Sequence, residues 1–255
     1  MTISQRLVDE LKGAILSIVP EDKVGIAFSG GVDSSLLAML CANLGKEITL
    51  LTIGFPGSHD LSFSSEIALK MGLNHKTLEI SITDFENDIV AVQLLIGCSN
   101  TSHIENCIAY RSIARLAKQN GTTIILSANG FDELFCGYNA YRAVYEKGPA
   151  AVVDFMNEKV ENELELISEI STSVSEYGVA VRQPFLSSKF VEFARSIPLE
   201  HKIKGSNDTL RKHMLREVAI GLGVPEASAM KPKKALQYGS NVHRNYKRFA
   251  KSHMH

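Results

Sequence analysis

The chain has 255 residues, 45% of them hydrophobic and 22% charged, with a formal net charge of -1 at neutral pH. That is ordinary for a globular chain of one sizeable domain, alone or with an appendage. It gives no support to a nucleic-acid surface, and no apolar run approaches the ~18 residues a membrane span needs.

The first twenty residues, MTISQRLVDELKGAILSIVP, read as an amphipathic helix in which Asp9, Glu10 and Lys12 interrupt any signal-like core, so a cytoplasmic location is expected. Short strands are predicted at 24–28 (VGIAF), 48–53 (ITLLTI), 75–80 (HKTLEI) and 122–128 (TTIILSA). The first, second and fourth are almost continuous apolar runs, as in strands buried on both faces of a parallel sheet. Helical patterns separate them. Residues 33–44 place Leu36, Leu37, Leu40, Cys41 and Leu44 on one face and stop at Gly45; 60–71 stop at Gly72, and 103–120 at Gly121. Strand and helix in alternation predict an α/β fold, an open parallel sheet with helices on both faces. Beyond about residue 138 the chain reads as mostly helical over 139–177 and 188–250, broken by Gly148-Pro149, Pro184, Pro198 and Pro225. The organisation expected is one unit, an α/β nucleotide-binding body over 1–138 and a helical part over 139–255. Cys41, Cys98, Cys107 and Cys136 form no C-x-x-C pair and no zinc spacing appears, so packed, reduced thiols are expected.

The stretch AFSGGVDSS (27–35) lies between the first strand and the first crossover helix, the place where open parallel sheets bind ligands. Gly30 and Gly31 allow a tight turn with backbone N–H groups turned toward an anion. Ser29, Ser34 and Ser35 add hydroxyl donors, and the helix that follows directs its positive end at the same point. There is no G-x-x-x-x-G-K-[ST] and no G-x-G-x-x-G, so neither familiar phosphate loop is present. A carboxylate inside a phosphate nest repels its ligand unless a divalent cation lies between them. Asp33 therefore points to Mg2+. The plainer alternative is a simple turn with Asp33 as a helix cap.

SGGVDSS resembles the S-G-G-x-D-S pyrophosphatase loop (PP-loop) of enzymes that cleave ATP between the α and β phosphates. Four later segments, in the same order, resemble the synthetase domain of asparagine synthetase: LTIGFPGSHDL (51–61), LSANGFDELFCGY (126–138), VRQPFLSSKFVEFARSIP (181–198) and LRKHMLREVAIGLGVPEASAMKPKKALQYGS (210–240). The resemblance implies a PP-loop, adenine-nucleotide-α-hydrolase-like fold. It also implies an ATP site made of Ala27, Phe28, Ser29, Gly30, Gly31, Asp33, Ser34 and Ser35, extended by Ile53, Ser127 and Ala128. Asp132 is implied as a second magnesium carboxylate beside Asp33, and Lys233, flanked by Lys231 and Lys234, as the cation that steadies departing pyrophosphate. Arg182 is either a clamp on pyrophosphate or half of a structural salt bridge.

Two departures stand out. Asn129 occupies the position of the family's glutamate in G-E-G-x-D-E, where an amide can neither take a proton nor attract ammonium; Ala128 and Ser187 also differ from the pattern. The chain, moreover, shows no counterpart of the family's N-terminal glutaminase, so ammonia or a separate glutaminase subunit is the expected nitrogen source. The activity implied is an ATP-dependent, AMP-forming amide ligase with ATP, Mg2+ and ammonia, acting on aspartate or another carboxylate. The alternative from another class is a non-catalytic ATP-binding protein paired with a glutaminase. The sequence leaves open whether the chain forms a homodimer.

Overall fold

The computed structural model describes residues 2–253. Five strands form one parallel sheet: β1 (Lys23–Ala27), β2 (Glu47–Gly54), β3 (His75–Glu79), β4 (Ile124–Leu126) and β5 (Ala180–Arg182), in the spatial order β3-β2-β1-β4-β5. The chain leaves β1 toward β2 and β3, then returns to the other side of β1 for β4 and β5. The ends of β1 and β4 thus form the switch point where such sheets bind ligands.

Alternate residues of β2 show why the central runs are apolar throughout. Ile48 and Leu50 enter the core on one face, whereas Leu51 and Ile53 enter the core on the other. The first face is covered by α1 (Ile3–Ile18) and α2 (Val32–Asn43), together with α9 (Ser188–Ser196) and α10 (His213–Gly221). The second is covered by α4 (Ile82–Leu95), α5 (Thr101–Gln119) and the long α8 (Pro149–Val174). Helices lie on both faces, as the alternation predicts. The remaining helices are α3 (His59–Met71), α6 (Phe131–Leu134), α7 (Ala140–Tyr145), α11 (Glu226–Ala229), α12 (Leu236–Gly239) and α13 (Val242–His253).

Local signals fix most boundaries to within two residues. Thr2 and Gln5 exchange side-chain and backbone hydrogen bonds of 3.2 and 2.9 Å, a capping box that starts α1. Gly72 closes α3 with φ 65°, a left-handed value that favours glycine. The fourth strand is shorter than the predicted 122–128 because Ser127 already belongs to the site loop. The fifth strand was not expected: three residues carry too little periodicity, and only pairing with β4 makes them a strand. α2 is buried nearly all round, including Ser34 and Ser35. The apolar face over Leu36–Leu44 was expected, but α10 and α11 also cover the other side.

Candidate active site

Two loops meet at the switch point. After β1, Phe28 is tied to β2: its N–H donates to Leu51 O at 2.9 Å, and Thr52 Oγ1 donates to its carbonyl at 2.6 Å. Gly30 has φ 73°, and a Cβ there would meet Phe63 and the Ser64 Cα at 3.0–3.1 Å, so the turn has room only for glycine. No side chain caps α2 at Gly31, which leaves first-turn amides for an anion. Ser34 Oγ accepts from Ser29 N–H at 3.3 Å, and the two hydroxyls lie 3.4 Å apart.

After β4, Gly130 turns the chain at φ 104° and α6 brings in Asp132. Gly137 is required for a different reason: a Cβ there would lie 1.9 Å from Asp132 Oδ1 and 2.3 Å from Lys212 Cε. Through that gap passes Lys212, fully buried, with Nζ 2.5 Å from Asp33 Oδ2 and 2.6 Å from Asp132 Oδ1. Lys233 Nζ also donates to Asp132. Burial by itself would raise the Asp132 carboxyl, but the ammoniums of Lys212 and Lys233 outweigh it and hold the group well below the ordinary range. Burial would likewise lower Lys233; Asp132 and Asp33 reverse this and keep it charged.

Arg216 positions both lysines. Its guanidinium is buried and donates to the carbonyls of Leu210, Arg211, Ala229 and Lys231. It thus binds the segment before α10 to the one carrying Lys233. Arg211 and Lys212 both adopt left-handed backbone, φ 51° and 54°, a conformation that persists only where the surroundings impose it. Asp33 and Asp132 converge on one point, and Asp33 Oδ1 is buried without a hydrogen-bond partner. Paired hard oxygens of this kind fit a Mg2+ ion.

The loops open into a cavity of about 630 Å³. Ala27, Phe28, Ser29, Asp33, Ser34, Ile53, Ser127, Ala128, Asn129, Asp132 and Lys233 all line it, so most expected site residues come together. Gly31 lies in an adjoining depression with Asp33, Lys212 and Lys231. Two expectations need correction. Ser35 Oγ accepts from Ser228 Oγ at 2.9 Å in the core between α2 and α11, turned away by helical geometry. Arg182 grips Glu21 through both terminal nitrogens, at 2.5 and 2.8 Å, and donates to Ile18 O. It is the salt bridge rather than the clamp, and only its backbone carbonyl, bonded to Ser127 N–H, touches the site loop.

The partners that Asn129 meets at the far end of the cavity were not anticipated. Asn129 Nδ2 donates to Glu163 of α8, and Tyr110 OH of α5 donates to Ser127 Oγ at 2.7 Å and to Asn129 Oδ1 at 3.2 Å. Burial pushes the Glu163 carboxyl up. Glu133 is pushed up to about 8 by burial and then by the nearby Glu163 and Asp132. Its oxygens accept from Gly130 N–H at 2.9 Å and from Tyr138 OH. One signal for Glu163 was readable: it interrupts the apolar stripe Val152, Met156, Val160, Leu166 and Ile170 of α8, where a carboxylate costs solvation without a purpose. Lys212 had none, since a lysine ahead of a helix ordinarily reads as solvated.

Fold and site together define an open parallel α/β protein with an uncapped glycine turn and paired carboxylates at its switch point. The family model for asparagine synthase matches residues 7–177 and 165–255, and the chain belongs to that family. It is 32% identical over 275 residues to a putative glutamine-hydrolysing asparagine synthetase of Methanocaldococcus jannaschii, covering 95% of this chain and 50% of that protein. To asparagine synthetase B of Escherichia coli, also glutamine-hydrolysing, it is 28% identical over 233 residues, covering 84% and 40%. The chain thus spans half or less of these relatives' length. Among solved structures, NMN synthetase from Francisella tularensis aligns with TM-score 0.50 at 17% identity, over 92% of this chain and 76% of that one, a likeness of fold.

Proposed function

We propose that the chain adenylates a carboxylate, aspartate first among the candidates, and passes the acyl group to ammonia, releasing AMP and pyrophosphate, with 1–138 and 139–255 acting as one unit. The observation that carries this reading is the convergence of Asp33 and Asp132 with Lys212 and Lys233 at the mouth of an uncapped helix. Asp33 and Asp132 would hold Mg2+, which would neutralise charge on the ATP phosphates. Ser29, Ser34 and the first-turn amides of α2 hold the β and γ phosphates. Ile53 and Ala27 border the adenine end.

The acceptor carboxylate oxygen attacks the α-phosphorus, the bond to the bridging oxygen breaks, and pyrophosphate leaves with its charge met by Lys212 and Lys233. Ammonia then attacks the acyl carbon of the adenylate, AMP departs, and Glu163 takes the proton shed by nitrogen. Glu163 supplies from α8 the carboxylate that Asn129 lacks, and Asn129 orients it. Because that pair shapes the acceptor end, a carboxylic acid other than aspartate is the second reading. The test is incubation with ATP, Mg2+, ammonium salts and a panel of acids, with nucleotide products resolved. AMP and pyrophosphate in equal amounts, dependent on aspartate, are expected. The same products only with another acid select the second reading; ADP formation, or ATP binding without turnover on any acid, overturns ligation by adenylation.

A further inference from the structure

Away from the phosphate loops, three elements bring a second set of ligand-type side chains together. Cys98 sits in the connection between α4 and α5, His103 in the first turn of α5, and Glu169 on α8. The Cys98 sulfur, a ring nitrogen of His103 and a carboxylate oxygen of Glu169 all lie within 4.8 Å of one another. His103 Nδ1 is 2.8 Å from Glu169 Oε2. His103 is buried, while Cys98 and Glu169 border an open depression shared with Ser168 and Thr172, so an ion and a water can enter.

A separate feature marks the sulfur. The N–H of Asn100 donates to Cys98 Sγ at 3.2 Å. A backbone donor directed at sulfur stabilises the thiolate and orients its remaining lone pairs, as outer-shell donors do for metal ligands.

We propose that Cys98, His103 and Glu169 bind one Zn2+ ion, with the fourth position open to water. The donor set decides the metal: thiolate, imidazole and carboxylate suit borderline Zn2+, whereas Mg2+ and Ca2+ take oxygens alone. One thiolate and one carboxylate balance the two positive charges, and binding releases the thiol proton to solvent. Ligand softness separates this site from the all-oxygen pair Asp33 and Asp132. His103 also lines the reaction cavity, so the ion pins that wall to the 96–100 connection and to α8. The C-x4-H spacing is no zinc signature, because the third ligand lies 66 residues further along the chain.

The test uses the full chain, stripped with a chelator and titrated with Zn2+ against a chromophoric competitor, then with Co2+ as a spectroscopic substitute. One Zn2+ per chain is expected, bound at least about tenfold more tightly than by Cys98→Ser or Glu169→Gln. Co2+ adds a thiolate-to-metal charge-transfer band in the near ultraviolet that disappears in Cys98→Ser and persists in Cys41→Ser. Zn2+ also raises the melting temperature of the native chain but not of Glu169→Gln, a partly exposed position whose variant is checked for a native circular dichroism spectrum. Stripped native chain that takes up no Zn2+, or equal affinity in Cys98→Ser, overturns the proposal.

Discussion

The two ends of the cavity handle buried charge in opposite ways. At the end holding Asp33 and Asp132, two carboxylates meet two lysines, and Asp132 is held well below and Lys233 well above its ordinary value. At the end holding Asn129, Glu133 and Glu163 have amide and hydroxyl partners, and burial pushes both carboxyls up. A phosphate subsite needs fixed charge whatever the pH. A site that must take a proton from nitrogen needs a group poised to change state. The contrast follows from partner chemistry, ammoniums at one end against amides and hydroxyls at the other.

The sharpest way to break this contrast is at Asp33. Asp33→Asn keeps the shape but removes one of two hard ligands, and pyrophosphate release should fall by at least ~10²-fold to 10³-fold while circular dichroism stays native. Near-normal turnover would remove the phosphate-loop assignment. Lys212→Ala tests whether the buried cation holds the carboxylates apart. Its loss leaves Asp33 and Asp132 facing each other, so stability should drop by about 3–5 kcal/mol. Mg2+ should then restore melting temperature more in the variant than in the native chain; equal responses would separate the ion from this pair.

At the other end, Glu163→Gln should leave ATP-dependent adenylation, followed by pyrophosphate exchange, within a few-fold. Amide formation should slow by roughly 10²-fold and lose the rise with pH that comes from ionising a carboxyl of raised pKa. A loss confined to pyrophosphate exchange would place Glu163 on the wrong half of the reaction.

Glu133 gives a smaller, pH-dependent effect. Burial and the neighbouring Glu163 and Asp132 push its carboxyl up to about 8, from an ordinary 4.5, so between these values the folded chain binds the extra proton and stability falls as pH rises. The contribution is complete below about 4.5 and gone above about 8. Melting of the native chain should therefore drop across that window relative to Glu133→Gln, and parallel curves would mean the carboxyl is ionised throughout. The smallest effect belongs to Arg182→Met, which removes the pair with Glu21 but should leave turnover within about twofold; a large loss in kcat would return Arg182 to the site.

The α/β alternation and the glycine turn at 27–35 with Asp33 in it were legible in the chain, because each depends on neighbours a few residues apart. Apolar runs demand burial on two faces, a Gly-Gly turn leaves amides free, and a carboxylate among phosphates requires a cation. Lys233 and Asp132 were reached through motif resemblance, and the cavity does bring them together with Asp33. What the linear pattern left undecided involves long-range placement. Lys212 meets Asp33 across 179 positions, and Glu163 meets Asn129 across 34. Ser35 and Arg182 carry the right chemistry yet spend it on core and surface contacts. Local sequence specifies which groups can bind phosphate or carry a proton. Only the packing of α8 and α10 against the sheet determines which of them face the cavity, because desolvation and partner charge act through space and not along the chain.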